Sequence, residues 1–385
     1  MAEDPDHAEI RIAIQKLCSH FPGEYWRRLD CEAAYPEEFV VALTESGYLS
    51  SLIPEEYGGA GLPISAAVAI LEEIHRSGCN GAACHAQMYI MGTLVRHGSE
   101  AQKARYLPDI ASGKRRLQAF AVTEPASGSD TSSIRTFAKR DGNHYIVNGQ
   151  KLWTSRAEHS DLMLLLARTS PKESTGKRTG GLSVFILDMC DARSGGLSIR
   201  PIRTMMNHFT TEVFFSDVRV PAENLIGEEG SGFRCLLSGI NAERILIAAE
   251  CIGDAKWFLA RATDYASARL VFDRPIGQNQ GVQFPIARGF VNMRAAELMV
   301  REAARRYEAE LDCGTEANMA KLLASEAAWE AAGVCMSTYG GYGFARDYDI
   351  ERKFRETRLL VAAPVSNNMV LAFLGQNVLG MPKSY

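Results

Sequence analysis

The residues of this chain that could do chemistry are carboxylates and hydroxyls set among apolar side chains. Glu243 lies three residues after Ile240 and four before Ile247, so on a helix it projects from the stripe those isoleucines form. A carboxylate in an apolar stripe is costly unless paired or functional. Burial raises a carboxyl pKa toward neutrality, which suits a general base. The same spacing fits a solvated stripe edge with an ordinary surface Glu243, and the pattern leaves both readings open. Arg244 points about 100° further round the helix and is not a facing partner.

A second group is Ala121-Val122-Thr123-Glu124-Pro125-Ala126-Ser127-Gly128-Ser129-Asp130. It packs hydroxyls, carboxylates, a proline and a glycine into one loop, and reads as a polar loop closing on a ligand or as an interdomain turn. Trp153, followed by Thr154 and Ser155, offers a flat apolar wall with hydroxyl donors beside it. That suits an aromatic cofactor, but a core tryptophan with incidental hydroxyls is the more common arrangement. Arg269, Arg274 and Gln280 surround a turn that contains Phe272. They form either a pyrophosphate clamp or a complement to a helix dipole. Gly340-Gly341-Tyr342-Gly343 permits close backbone approach. His85, His159 and His208 show no metal spacing and read as structural. The glycine-rich run at 54–61 lacks the Lys-Ser/Thr of a phosphate loop.

The elements that must position these groups change period along the chain. The first 120 residues read as helical, with helices over 37–46, 64–76, 88–98 and 99–107, the last capped by Ser99 and stopped by Pro108. From Ala121 short strands follow: a hairpin over 136–147 turning at Asp141-Gly142, a second turn at Asn148-Gly149, then strands at 162–167, 182–187, 197–200 and 212–215. The stretch 170–181 reads as a surface loop. After Pro221 helices return over 232–270, 282–311, 317–337, 347–360 and 365–379. The expected fold is mostly α with a central β-domain: a helical domain over 1–120, a small β-barrel or sandwich over 121–230, and a helical bundle over 231–385.

Composition excludes several classes. A net charge of -4 provides no field for nucleic acid or anionic lipid. No apolar run suggests a membrane span. The acidic start, Met1 to Asp6, argues against a signal or transit peptide, so a cytoplasmic protein is expected. Nine scattered cysteines, an odd number without C-x-x-C, favour free and mostly buried thiols.

Taken together, these stretches resemble the acyl-CoA dehydrogenase family over essentially the whole chain. The motifs that carry the resemblance are 121–130, Lys151 to Ser155, Val213 to Pro221, Arg269 to Gln280, and Gly340 to Gly343 followed by Arg355-Glu356-Thr357-Arg358. The resemblance implies an N-terminal helical domain, a central β-domain and a C-terminal four-helix bundle, with bound FAD. The flavin would lie against Phe120, Val122, Thr123, Ser129, Trp153, Thr154 and Ser155. Its adenosine-pyrophosphate end would be held by Arg269, Phe272 and Gln280 of a neighbouring subunit with Gly341, making a homodimer or homotetramer. Ser337 replaces a usual Gln at that end, and Ser366 and Asn368 replace a Thr and a Gln.

The implied reaction is α,β-dehydrogenation of an acyl-CoA, with electrons passed to an electron-transfer flavoprotein. Most of the family carries the base in a stretch that here reads Ala363-Pro364-Val365-Ser366, without a carboxylate. A smaller group, including the isovaleryl- and long-chain-specific enzymes, places it on the long helix directly before an Arg, which here is Glu243-Arg244. Arg244 would orient substrate or base, and Asn241 stands where the family has an Asp near the CoA arm; Ser129 also faces substrate. Pro364 lacks the backbone N–H that the family uses to polarise the thioester. That departure keeps open a monooxygenase, a desulfinase or a non-catalytic CoA-binding relative on the same fold.

Overall fold

A computed structural model describes residues 6–172, 176 and 179–383, so part of the 170–181 loop lies outside the described residues. The chain forms two compact units. One comprises Tyr35–Leu62 and Ala82–Ile240; the other comprises Met1–Ala34, Pro63–Gly81 and Asn241–Tyr385.

The first unit packs helices α3 (Glu37–Glu45), α5 (Ala82–His97) and α6 (Glu100–Ala111) on an eight-stranded sheet. Its strands are β1 (Leu117–Ala121), β2 (Phe137–Asp141), β3 (His144–Ser155), β4 (Leu162–Arg168), β5 (Leu182–Asp188), β6 (Leu197–Pro201), β7 (Thr210–Pro221) and β8 (Leu225–Ile226). They run in the order β6-β7-β3-β2-β4-β5-β8, and β1 pairs in parallel with β4. A short helix α7 (Met189–Ser194) follows β5. Strand β4 explains why its sequence is an unbroken apolar run. Leu162, Leu164 and Leu166 pack toward α5 and α6, while Met163, Leu165 and Ala167 face a second core with Tyr145, Phe185 and Phe215.

The second unit is helical: α1 (Ala8–Cys18), α2 (Gly23–Glu32), α4 (Ile64–Arg76), α8 (Gly232–Ala268, from Asn241 on), α9 (Gln280–Glu308), α10 (Gly314–Tyr339), α11 (Ile350–Ala362) and α12 (Asn367–Phe373). A hairpin, β9 (Leu270–Val271) and β10 (Arg274–Pro275), joins α8 to α9. Ionic side chains tie its interior. Lys256 of α8 bonds Glu72 of α4 and Glu297 of α9 at 2.5 and 2.7 Å. Asp254 pairs with Lys353 and with His75 Nδ1, the latter at 2.9 Å, and accepts from the Thr357 hydroxyl at 3.1 Å. The Gly81 N–H donates to His75 Nε2, so the proton of that ring sits on Nδ1.

The mostly α fold with a helical start, a central sheet and a helical end matches the sequence expectation, and α4 spans the expected residues. Several local expectations do not hold. Ser99 caps α6 as expected, in a full capping box with Gln102, but Pro108 lies inside the helix, which runs on to Ala111. Asn148-Gly149 is not a turn. It lies within β3 at a register shift, with Gly149 at φ +149° and its Cα so close to Thr136 that an added Cβ would lie 2.5 Å from the Thr136 hydroxyl. The first hairpin turns instead at Gly142-Asn143, because Asp141 pairs with His144. The middle of α8 is buried on every face from Ile245 to Leu259, whereas the sequence suggested a single stripe. The break expected between helices 347–360 and 365–379 does hold: α11 ends at Ala362 and α12 begins at Asn367. Ile350–Val378 is apolar enough to suggest a membrane span by length and composition, but the helix breaks between Ala362 and Asn367, and neither piece approaches the ~20 residues a span needs. All nine cysteines are free, and only Cys31 and Cys190 are exposed.

Candidate functional site

In the loop at 121–130 the two acids carry structural loads. Glu124 and Ser127 exchange backbone hydrogen bonds around Pro125-Ala126. The buried Glu124 carboxylate accepts the N–H groups of Arg135 and Thr136 at 2.6 and 2.8 Å and the Lys151 ammonium at 3.0 Å. Burial alone would raise that carboxyl; Lys151 and the two amides outweigh it and hold it below the usual carboxylate range. Lys151 is fully enclosed, and burial pushes it down to about 8 against the pull of Glu124. Its ammonium also donates to the Val122 carbonyl at 2.9 Å, and the Leu152 N–H donates to the Thr123 carbonyl. Asp130 accepts the hydroxyls of Ser132 and Ser133. The loop is therefore strapped rigidly to β3.

The strapping presents a shelf. Between Lys151, paired with Val213, and Thr154, paired with Thr211, β3 holds one residue more than β7. This bulge puts Trp153 in the left-handed region, φ +60°, with 54% of its surface exposed. A bulky side chain holds that conformation only where the surroundings enforce it. Phe120 and Val122 are half-buried next to the core, with Phe120 6.5 Å from the Tyr89 ring. Among the described residues the hydroxyls of Thr123, Ser129, Thr154 and Ser155 make no internal hydrogen bond, although the Thr154 hydroxyl is fully buried. An open aromatic face, two apolar neighbours and uncommitted hydroxyls fit a flat heteroaromatic ring with polar edges such as an isoalloxazine. Next to the shelf, burial and the nearby Arg156 bring His208 down to about 3, so its imidazole is neutral. His159 stacks on Tyr35 at 4.1 Å, and His85 is buried 5.1 Å from the Tyr89 ring.

The remaining groups belong to the helical unit. Glu243 and Arg244 are half-buried on α8. Arg244 reaches back one turn and donates to the Asn241 amide oxygen at 3.1 Å, and its buried Nε–H has no partner. Burial lowers this guanidinium to about 10 even though Glu243 and Cys313 favour its charge. At the end of α8, Tyr265 stacks on Tyr339 at 4.1 Å. That contact sets the helix end bearing Arg269 beside the α10 end bearing Ser337 and Gly341. All three of these residues are exposed, and the Gly341 Cα faces open space. Phe272 and Asp273 form the two-residue tip of the hairpin, both at positive φ, with Phe272 92% exposed. Gln280, exposed, opens α9. Ser366 caps α12 by accepting the Met369 N–H, and Asn368 is exposed.

Sequence reasoning missed three residues here. Lys321 is fully buried in α10 and donates to the Val361 and Val365 carbonyls and to the Asn367 amide oxygen. Asn367 also exchanges hydrogen bonds with Ser325. A lysine inside the alanine-rich stretch of α10, with Ser325 one turn on, was the available signal.

Residues 4–114, 119–218 and 230–378 match, in turn, the N-terminal, middle and C-terminal domains of acyl-CoA dehydrogenase. The chain is 34% identical over 388 residues to the acyl-CoA dehydrogenase FadE12 of Mycobacterium tuberculosis, covering 100% of this chain and 98% of that one. It is 34% identical over 351 residues to an acyl-CoA dehydrogenase of Bacillus subtilis, covering 90% of each. Among solved structures, glutaryl-coenzyme A dehydrogenase superposes with a TM-score of 0.91 at 29% identity, covering 100% of this chain and 98% of that one. With a shelf suited to a flavin and relatives along its full length, this chain belongs to the acyl-CoA dehydrogenase family of FAD-dependent oxidoreductases.

Proposed function

We propose that the chain converts an acyl-CoA thioester to the trans-2-enoyl-CoA, with Glu243 as the base and an electron-transfer flavoprotein as the electron acceptor. The observation that carries the base assignment is the pairing of a proline at position 364, where a carboxylate would stand, with a half-buried Glu243 beside a half-buried Arg244. FAD, when bound, supplies the acceptor for the hydrogen leaving the β-carbon. Phe120, Val122, Thr123, Ser129, Trp153, Thr154 and Ser155 would hold its ring. Arg269, Phe272 and Gln280 of a second copy, with Ser337, Gly341, Ser366 and Asn368, would hold the rest.

The protein's own work is acid–base and positional. Glu243 takes the α-proton, which is acidic only while the thioester carbonyl is polarised. Arg244 carries one N–H on Asn241 and a second that is uncommitted, so it can orient substrate or base without being neutralised. Ser129 and Asn241 lie on the substrate side in this reading.

Glu243→Gln tests the assignment, because it keeps size and hydrogen bonding and removes the base. The variant should purify yellow with full FAD. Mixed anaerobically with butanoyl-, isovaleryl- or octanoyl-CoA, it should lose flavin absorbance at least about a thousandfold more slowly than the parent. Bleaching at the parental rate would remove Glu243 from the mechanism.

A further inference from the structure

Two thiols far apart in the sequence meet inside the helical unit, and the reaction above uses neither. Cys18 is the last residue of α1, and Cys79 lies in the loop Ser77-Gly78-Cys79-Asn80-Gly81 that follows α4. Both are buried, Cys79 completely. The two side chains hydrogen-bond one another. Cys79 Sγ also lies 3.8 Å from the Phe21 carbonyl oxygen and 4.0 Å from the carbonyl oxygen of Cys18 itself, so the sulfur sits against its partner's backbone. A disulfide is about 2 Å long and joins Cβ atoms about 4 Å apart. Here the sulfurs are already in contact, and one of them is on irregular backbone, which shifts to close a bond more readily than a helix does.

The surroundings distinguish the two sulfurs. Arg352 and Lys353, both buried on α11, donate to the Gly78 and Cys79 carbonyls at 3.1 and 3.3 Å and bring two positive charges to the loop. The hydrogen bond from Cys18, then the Trp26 indole and these two cations, hold the Cys79 thiol below its ordinary value against the pull of burial. The same hydrogen bond, together with burial, raises Cys18. Cys79 is therefore the nucleophile of the pair. A core cysteine that serves packing alone needs neither a second thiol nor a flanking cation.

We propose that Cys18 and Cys79, 61 residues apart in the chain, are a peroxide-oxidised dithiol site that closes to a disulfide between α1 and the loop after α4. The Cys79 thiolate attacks hydrogen peroxide. The O–O bond breaks, hydroxide leaves and takes up a proton to become water, and Cys79 becomes a sulfenic acid. The Cys18 sulfur then attacks the Cys79 sulfur, the S–O bond breaks, and a second water leaves with the Cys18 proton. Two electrons pass from the sulfurs to the peroxide oxygens, and a dithiol reductant reverses the bond. Enclosure selects the oxidant. Peroxide is scarcely larger than water, whereas oxidised glutathione cannot approach a sulfur that has no exposed surface.

The test uses the full chain loaded with FAD. Cys31→Ser with Cys190→Ser removes the two exposed thiols and leaves seven. This parent is treated with hydrogen peroxide, quenched with catalase, denatured and alkylated without reductant. Five of the seven thiols should alkylate, and digestion should yield a dithiothreitol-sensitive peptide pair that joins Cys18 to Cys79. Added Cys79→Ala should abolish the cross-link and leave no sulfur that dimedone labels. Added Cys18→Ala should leave Cys79 as a sulfenic acid that dimedone does label. Oxidised glutathione in place of peroxide should leave all seven thiols alkylatable. Seven alkylatable thiols after peroxide, or a cross-link between any other two cysteines, would overturn the proposal and leave Cys18 and Cys79 as packing residues. Dimedone on Cys18 in the Cys79→Ala protein, with none on Cys79 in the Cys18→Ala protein, would overturn the order of attack. A glutathione mixed disulfide at Cys79 would overturn peroxide as the selected oxidant. If an alanine variant fails to fold, the cross-link in the parent decides.

Discussion

Trp153 is held in a conformation that costs free energy and exposes more than half of an indole. Both costs make sense if a ligand covers the ring. Glycine adopts φ +60° without strain. In Trp153→Gly, therefore, the FAD-free protein should melt no lower than the parent, while the FAD dissociation constant should rise at least about tenfold through loss of the stacking wall. Differential scanning calorimetry with flavin fluorescence titration measures the two separately. Unchanged FAD affinity would mean that the bulge serves the sheet and not the cofactor.

At the scale of elements, α8 can cross the helical unit with all faces buried only because its charged residues are partnered. Asp254 is enclosed, and burial alone would raise its carboxyl; Lys353 and His75 outweigh burial and bring it to about 2, below its ordinary 3.8. Its contribution to stability is therefore fully present above pH 3.8 and is lost as pH falls toward 2. Asp254→Asn leaves the Lys353 ammonium buried opposite a neutral amide and should cost about 3 kcal/mol at pH 7. The melting temperature of the variant should also decline less steeply than the parent's between pH 4 and pH 2. A parallel decline in both proteins would show that other carboxylates govern acid unfolding.

At the scale of the whole molecule, α9 exposes Phe284, Val291 and Leu298 at seven-residue intervals, one apolar stripe on a helix. Phe272 projects from the hairpin just before it. Exposed apolar side chains in such a row fit an interface between copies. If second copies cover the stripe and supply Arg269, Phe272 and Gln280 to the cofactor, assembly and FAD retention are linked. Val291→Lys with Leu298→Lys should shift the mass by light scattering toward the monomer and lower the FAD bound per chain after gel filtration. A monomer that keeps its full complement of FAD would show that each copy holds its cofactor alone.

Much of this was legible in sequence because it depends on neighbours along the chain. The apolar periods of 37–46 and 64–76, the Ser99 cap and the unbroken apolar run of β4 are local signals that the fold preserves. The tertiary structure decided what depends on residues far apart. Asn148-Gly149 has the dipeptide of a turn, yet β2 and β7 pair on either side of β3 and stretch it into a bulged strand. Glu124 and Asp130 read as loop acceptors from the sequence, and packing sets which amides, hydroxyls and ammonium they accept from. Lys321 acquires its partners because α10 lies under Val365 and Asn367, more than forty residues on. Sequence by itself determined the element order and the family, because both are written in local period and motif. Which polar groups are committed and which remain available was settled only by packing, because burial forces each enclosed donor and acceptor to find a partner wherever the fold provides one.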